Sequence, residues 1–302
     1  MGLPLGSVLY PMISVREDAD IDGNRDAILR LLDDEAPAVR QAVLNELAGW
    51  GEAGISFLRS IECQGDSQAD IASEFLRELG WEDGNKAFRR FIRDFSYELE
   101  SGFLLLDKVI RPESNPTETC LRLDDLSKRC VELSLLPSSP SELCRLVSRV
   151  LFHEESMRGP HLDFHNPLNS SLSFALEEKK GLPMTLCVIF LLVARRIGLD
   201  LEPIALPGRL MVGCFSGEAP FYVDAFEGGR MRTSSEVISF LRKRGLDDSA
   251  QWLLPITVGD LLRRACRNLV AHHLHSGNED SAQLFSTFDD EFNEAYRRAS
   301  GA

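Results

Sequence analysis

Hydrophobic and polar positions are distributed unevenly along the chain, and the most apolar stretch runs from Met184 to Ile197. A helix that is apolar on nearly all sides is buried on nearly all sides. The stretch is fourteen residues long, which is too short for a helix that spans a bilayer. We therefore predict that it forms the central helix of a globular core.

The polar residues just before this stretch predict a second helix that leads into it. Asn169 and Ser170 offer side-chain oxygens to the free N–H groups at a helix start. Gly181 is typical of a helix end, so this helix is predicted to run towards Lys180. Pro183 then lies in the first turn of the central helix, where a missing N–H is tolerated.

After Gly198 the hydrophobic pattern changes from a helical period to that of extended strands. Pro-Gly and Gly-Gly pairs supply turn signals between the apolar segments. The predicted strands are residues 201–206, 210–215 and 221–226. A buried helix on a small antiparallel sheet is an α+β core, so we predict an α+β fold in which helices predominate.

The order of these elements resembles the transglutaminase-like superfamily, and specifically its bacterial SirB-type branch. The resemblance covers about residues 95–241. It rests on four stretches that follow one another in the family's order, namely residues 169–170, 181–186, 207–210 and 223–229. It implies a papain- or transglutaminase-like core in which the buried central helix packs on the antiparallel sheet.

The resemblance also implies the positions of a catalytic triad, and two of the three are not filled here. Catalytic relatives place a cysteine at the mouth of the buried helix, where the helix dipole lowers the thiol pKa, and a histidine base on a strand. Those positions hold Pro183 and Arg209, and only Asp224 stands in the place of the acid that orients the histidine. An arginine cannot act as a base at any accessible pH. The residues that would line this remnant site are Asn169, Ser170, Pro183, Thr185 and Arg209.

Two functions of different classes fit these residues. The first is a non-catalytic module that binds or assembles proteins, because the triad is incomplete and the flanking helices resemble protein-binding repeats. The second is a thiol-dependent amide hydrolase or acyltransferase with a displaced nucleophile, Cys187 or Cys214. Cys187 lies one turn inside an apolar helix, where a small core residue is the ordinary interpretation. No histidine lies on a predicted strand to serve either thiol, which favours the first function.

Arg209 and Asp224 are expected to meet in the folded protein. Arg209 begins one strand and Asp224 lies near the end of its hairpin partner, so both lie at the same end of an antiparallel pair. We predict a bidentate ion pair that replaces the histidine–aspartate hydrogen bond of catalytic relatives. The alternative is that Arg209 points to solvent and Asp224 caps the turn before Gly228.

The net charge of the chain indicates which classes of partner it can bind. The net charge of −14 argues against a nucleic-acid groove and against adsorption to an anionic membrane, so we expect a protein partner. The chain contains no apolar run long enough to span a membrane, and its first residues lack the features of a signal peptide. Seven scattered cysteines without a CxxC pair predict reduced thiols and a cytoplasmic protein.

No metal ion or other cofactor is predicted. Residues 153–167 contain three histidines and three acidic residues, but no cysteine pair lies near them, so loop hydrogen bonding is favoured. Residues 18–23 look like the first half of a calcium loop, yet Leu29 stands where the bidentate acid is needed. His272, His273 and His275 are expected to interact with the C-terminal end of a helix dipole.

Helical periodicity dominates the sequence on both sides of the core. Residues 25–79 resemble HEAT-type repeats, with Val39, Val43 and Leu47 on one helix face. Because one or two repeats cannot close a core, we expect this segment to pack on the next part of the chain and not to be stable alone. A hairpin of helices near the C-terminus resembles the TPR-like tail of SirB-type proteins. The predicted organisation is a HEAT-like segment at 1–80, the core at 85–245 and the hairpin at 250–302.

Two further helices and one boundary between segments are predicted from local sequence signals. One long helix is predicted from about Asn85 to Ile110, because aromatic residues recur on one stripe. Thr233 is predicted to open a helix through a capping box, within a helical segment at residues 230–241. Residues 80–84 are the predicted boundary between the first segment and the core.

Overall fold

Two units follow one another along the chain in a computed structural model, Met1–Asp83 and Gly84–Ala302. Residues 18–20 of the calcium-like stretch and residues 80–82 of the predicted boundary lie outside the residues that the structure describes. The described residues are 21–34, 36–63, 68–79, 83–134, 138–217, 219–246 and 250–301.

The first unit contains four helices with a buried cluster of their own. The helices are α1 (Ile21–Leu31), α2 (Pro37–Trp50), α3 (Glu52–Glu62) and α4 (Ala69–Glu78). All four contribute apolar side chains to one cluster, which includes Leu32, Leu47, Leu58 and Phe75. The prediction that this segment cannot close a core is therefore wrong, because α1 and α4 supply the faces that a single repeat lacks.

We now expect residues 21–83, produced alone, to unfold in a cooperative thermal transition. Far-ultraviolet circular dichroism of its helices reports the transition. Leu47→Ala should destabilise this fragment by about 2–5 kcal/mol, because Leu47 is fully buried. Leu31→Ala removes an exposed leucine and serves as the matched control. A gradual change without a folded baseline would contradict the prediction.

The second unit begins with four helices. They are α5 (Gly84–Asp94), α6 (Leu99–Ile110), α7 (Pro116–Leu133) and α8 (Pro140–Ser148), and a π-helical turn, Arg149–Glu154, continues α8. The prediction of one helix over residues 85–110 is wrong because the backbone turns at Phe95, which has φ 54°. Glu98 then caps α6 through its side chain, which accepts from the N–H groups of Glu100 and Ser101.

The two helices that lead through the core are α9 (Leu172–Glu178) and α10 (Pro183–Arg196). The prediction that Asn169 and Ser170 cap α9 is wrong, since both lie in a short 3₁₀ turn, Pro167–Ser170. Ser171 is the cap, and its Oγ accepts from the N–H of Phe174 at 3.1 Å. Lys179, with φ 57°, ends α9, and not Gly181.

A four-stranded antiparallel sheet follows α10. Its strands are β1 (Glu202–Leu206), β2 (Arg209–Cys214), β3 (Phe221–Asp224) and β4 (Arg230–Thr233), and each pairs with the next in sequence. The prediction of a helix over the β4 residues is wrong, because these residues pair with β3 in antiparallel register. The predicted capping box is confirmed at Thr233, where α11 (Ser234–Arg242) begins.

The central helix α10 is the most buried element described, and every residue from Met184 to Ala194 is buried. It packs on β2 on one side and on α7 and α8 on the other. The last helices, α12 (Val258–His275) and α13 (Glu279–Ala299), add side chains to the same cluster. The prediction of an α+β, mostly helical protein is confirmed. The division of the second unit into a core at 85–245 and a hairpin at 250–302 stays a proposal.

Candidate functional site

Arg209 and Asp224 meet at the edge of the β2–β3 hairpin. Nη1 of Arg209, the first residue of β2, donates to Oδ2 of Asp224, the last residue of β3, at 2.6 Å. The Asp224 side chain is fully buried, and that of Arg209 is 19% exposed. The expected ion pair is present, but it is not bidentate. The same Nη1 also donates to Oε1 of Glu227 at 2.8 Å.

Glu227 and Arg232 complete a network of four charged side chains. Arg232 donates from Nη2 to Oε2 of Glu227, and its Nε lies 3.9 Å from Oδ2 of Asp224. Oδ1 of Asp224 accepts from the N–H of Glu227 at 3.1 Å, so Asp224 caps the turn and pairs with Arg209 at once. Sequence reasoning missed Arg232 because it missed β4, where Arg232 lies opposite Tyr222. The signal for Glu227 was its position three residues after a capping aspartate.

The pKa values of the two acids in this network are shifted in opposite directions. Burial raises the pKa of Asp224 above its ordinary value, and the positive charge of Arg209 only partly offsets that rise. Burial also pushes the pKa of Glu227 upwards, but hydrogen bonds and charges from Arg209 and Arg232 hold it below its ordinary value. The network therefore contains one carboxylate that burial disfavours and one that its partners stabilise.

Cys187 lies one turn inside α10, next to this network. Its thiol is buried and donates to the carbonyl oxygen of Leu210 at 3.3 Å. Burial raises the pKa of the Cys187 thiol far above its ordinary value, and the charge of Asp224 adds to that rise. Because the thiolate is the nucleophilic form, this environment disfavours attack by Cys187. Cys214 is buried as well, with its Sγ 3.4 Å from Oγ of Ser216.

Asn169 and Thr185 meet at the start of α10. The carbonyl oxygen of Asn169 accepts from the N–H of Leu182 at 3.0 Å and from Oγ1 of Thr185 at 2.9 Å. Pro183 and Ser170 are half-buried beside them, in the first turn of α10 and in the preceding 3₁₀ turn. Asn169 itself is fully buried. These hydrogen bonds join Asn169 to the first turn of α10.

The structure brings the predicted site residues together as two groups. One group surrounds the start of α10, and the other surrounds the Arg209–Asp224 pair. Among the residues that the structure describes, no hydrogen bond or ion pair joins the side chains of the two groups. The link runs through α10, since Cys187 contacts the backbone of the strand that Arg209 begins.

Arg264 of α12 is a site residue that sequence reasoning missed. Its Nη2 donates to the carbonyl oxygens of Leu206 at 3.1 Å and of Arg209 at 3.4 Å, across the β1–β2 turn. Burial lowers the pKa of Arg264, although a guanidinium remains charged at any accessible pH. No local signal marked this residue, because only the packing of α12 brings it to the turn.

Three histidines lie together at the C-terminal end of α12. Nδ1 of His165 and Nδ1 of His272 are 3.3 Å apart, and the rings of His165 and His275 are centred 4.1 Å apart. Burial lowers the pKa of His272, and the neighbouring His165, His273 and His275 lower it further. Within the described ranges, no group of three histidine, cysteine or acidic side chains is placed to hold a metal ion. None of the described helices is long and apolar enough to cross a membrane.

The fold is that of an α+β protein of the mostly helical class, in which a buried helix packs on a four-stranded antiparallel sheet. An acid and a guanidinium lie at adjacent strand ends of that sheet. The chain belongs to the transglutaminase-like superfamily, since a family model of that description matches residues 117–267. No solved structure matches the chain.

Relatives from two kinds of organism share this similarity. A UPF0162 protein of Xylella fastidiosa is 31% identical over 201 residues, which are 63% of this chain and 70% of that protein. F-box only protein 21 of Mus musculus is 25% identical over 202 residues, 64% of this chain but 31% of that protein. A UPF0162 protein of Vibrio cholerae is 28% identical over 134 residues, 43% of this chain and 49% of that protein.

Proposed function

We propose that this chain is a non-catalytic member of the transglutaminase-like superfamily that acts as a protein-binding or assembly module. The observation that carries the proposal is the pairing of Asp224 with Arg209. An aspartate that orients a catalytic histidine accepts a hydrogen bond from the ring N–H. Here Oδ2 accepts from Arg209 and Oδ1 accepts from the N–H of Glu227. A fixed cation therefore stands where a base would have to be.

The environment of the thiols supports the same proposal. A displaced nucleophile would need a lowered pKa and access to substrate. Cys187 has neither, since it is buried and its pKa is raised. Cys214 is buried on β2 and contacts a serine hydroxyl. A thiol-dependent amide hydrolase or acyltransferase is the alternative, and alkylation of the native thiols tests it.

The flanking helices support a binding role. The first unit is proposed to be HEAT-like and the α12–α13 hairpin TPR-like, and both repeat types present surfaces for proteins. A SirB-type affiliation is part of the same proposal. The net charge of −14 favours a protein partner over nucleic acid or an anionic membrane. Free cysteines are consistent with a cytoplasmic location.

Alkylation of the native protein is expected to spare Cys187 and Cys214. Cys63 is exposed, so iodoacetamide at neutral pH should label it and provide an internal positive control. Cys187 and Cys214 are buried, so they should react only after unfolding in guanidinium. Peptide mass spectrometry measures the labelling of each thiol with time. Rapid, stoichiometric labelling of native Cys187 or Cys214 would establish the thiol-enzyme alternative instead.

The binding half of the proposal requires a complex that can be rebuilt from purified components. The folded chain, immobilised as bait, should retain a protein from an extract of its own organism that an immobilised unrelated acidic protein does not retain. That protein, once purified, should form a complex of fixed stoichiometry with the chain in analytical ultracentrifugation. If no retained protein re-forms such a complex, the proposed module function is wrong.

A further inference from the structure

Three arginines surround the turn between β1 and β2, and we call this group the arginine rim. Its members are Arg209 of β2, Arg244 just after α11 and Arg264 of α12. Arg264 donates to the carbonyl oxygens of Leu206 and Arg209 on one side of the turn. On the turn itself, a Cβ built on Gly208 would lie 3.5 Å from Nη1 of Arg244. Three separate elements thus bring guanidinium groups to one turn.

The ring of Phe240 holds two of these guanidinium groups in place. The guanidinium carbon of Arg244 lies 4.4 Å from the ring centroid, and that of Arg209 lies 5.2 Å from it. An arginine over an aromatic face is attracted by the ring quadrupole. Stacking also limits the rotamers that the long side chain samples, so less freedom is lost when it binds a ligand.

Among the residues that the structure describes, only one arginine of the rim has carboxylate partners. Arg209 is paired with Asp224 and Glu227. In the part of the chain that the structure describes, no carboxylate lies within ion-pair distance of Arg244 or Arg264. The imbalance is notable because the chain as a whole carries a net charge of −14.

A helix dipole does not explain the unpaired charge on Arg264. Cations are common in the last turn of a helix, and that accounts for Arg242 at the end of α11. Arg264 instead lies near the middle of α12, an 18-residue helix, and its side chain is half-buried. A partly desolvated cation without a counterion is unfavourable unless a ligand supplies the negative charge.

We infer that the arginine rim binds an acidic peptide segment of a protein partner, whose carboxylates pair with Arg244 and Arg264. The inference rests on the proposed function, because it names the chemistry of the partner that the module recruits. Planar guanidinium groups match carboxylates in geometry. Two guanidinium groups without a carboxylate partner among the described residues suit a short acidic segment, whereas stable binding of nucleic acid requires more phosphate contacts than the rim offers.

The probe is a fluorescein-labelled octaglutamate peptide, and the measurement is fluorescence anisotropy at low ionic strength. Wild-type protein should bind the probe, and added salt should weaken binding. The double variant Arg244→Gln/Arg264→Gln should bind about tenfold more weakly. Arg93→Gln/Arg297→Gln is the matched control, since it removes the same charge from exposed positions on α5 and α13. The control should bind like wild type.

Two further variants separate binding from folding. Arg244 is exposed, so Arg244→Gln should keep the thermal midpoint of the wild type while it weakens probe binding. Arg264→Lys keeps the charge but loses the planar fork, so it should bind the probe more weakly than wild type and more tightly than the double variant. If Arg244→Gln binds the probe like wild type, the rim is not the site.

Other outcomes would overturn the inference in ways that identify the actual occupant. Equal weakening in both double variants would mean that the probe senses only the net charge. Tighter binding of a labelled oligothymidylate of the same length would identify a nucleic-acid site. Wild-type dimers that the rim variant abolishes would identify a second copy of this chain as the occupant.

This result can be distinguished from a failure of the proposed function. If wild type does not bind octaglutamate, the rim inference fails, while a rebuilt protein complex and unreactive thiols would still support the module. If the probe binds at the rim but native Cys187 or Cys214 is alkylated rapidly, the module proposal fails and the acidic-peptide site remains.

Discussion

Phe190→Asp is expected to prevent the second unit from folding into a soluble form. Phe190 is fully buried at the middle of α10, and its ring stacks on Phe152 with centroids 6.3 Å apart. Loss of a large buried aromatic side chain alone costs about 3–5 kcal/mol. A buried carboxylate without a partner adds several kcal/mol more. The sum is comparable to the whole stability of a domain, about 5–15 kcal/mol.

The soluble fraction after expression and a thermal melt followed by circular dichroism measure this effect. Leu121→Asp is the matched control, because it introduces the same charge on α7 at a side chain that is 59% exposed. The control should remain soluble and melt within a few degrees of wild type. A soluble Phe190→Asp protein with the wild-type melting temperature would show that α10 is not the centre of the core.

Arg209→Ala is expected to destabilise the protein by about 3–5 kcal/mol at neutral pH, because it leaves the buried Asp224 without its close partner. Arg232 remains, but its Nε is 3.9 Å away. In a double-mutant cycle with Asp224→Ala, the coupling energy should be about 1–3 kcal/mol. Denaturant unfolding of the four proteins gives this value, and coupling near zero would remove the ion pair. Arg297→Ala, on an exposed position of α13, should change stability by less than about 0.5 kcal/mol.

The penalty of Arg209→Ala should grow as pH rises. The pKa of Asp224 is raised in the folded state, so this group lowers stability above its folded pKa and imposes no cost below its unfolded pKa. Loss of Arg209 raises that pKa further. The pKa of Glu227 is lowered, so its contribution is present above its unfolded pKa and is lost as pH falls through its folded pKa. Both effects make the substitution cost more at neutral pH than near pH 4, about the ordinary carboxyl pKa.

The same substitution in an Asp224→Asn background tests this assignment. The neutral side chain removes the titrating group that Arg209 offsets, so most of the difference between neutral and acidic pH should vanish. Glu227→Gln should remove the remainder. A penalty that is equal at both pH values in the otherwise unchanged protein would show that Arg209 acts through packing and not through charge.

The central helix and the ion pair could be predicted because each depends on information that is local in sequence. A run of apolar residues from Met184 to Ala194 has no stable place except the interior. Arg209 and Asp224 flank one hairpin, and antiparallel pairing alone brings such strand ends together. The prediction of a bidentate pair was wrong, because Nη1 of Arg209 donates both to Asp224 and to Glu227 on the following turn.

The features that could not be predicted depend on distant parts of the chain. The turn at Phe95 lies inside a stripe of aromatic residues with an unbroken helical period, and its ring packs on Tyr296 of α13. Arg264 reaches the β1–β2 turn only because α12 packs there. The core of the first unit contains side chains from all four of its helices, so the pattern of any two helices does not predict it.

Strand β4 has a consequence for how this protein can associate. It is one edge of the sheet, and the exposed Arg230 places a positive charge on it. The other edge, β1, contains Pro203, which has no N–H, and the Pro203 carbonyl accepts from the N–H of Ile256. A charged edge and a covered edge both deter pairing with a strand of another molecule. Recruitment of a partner by β-augmentation, and amyloid-like growth from this sheet, are therefore disfavoured, and assembly must use side chains and helix surfaces.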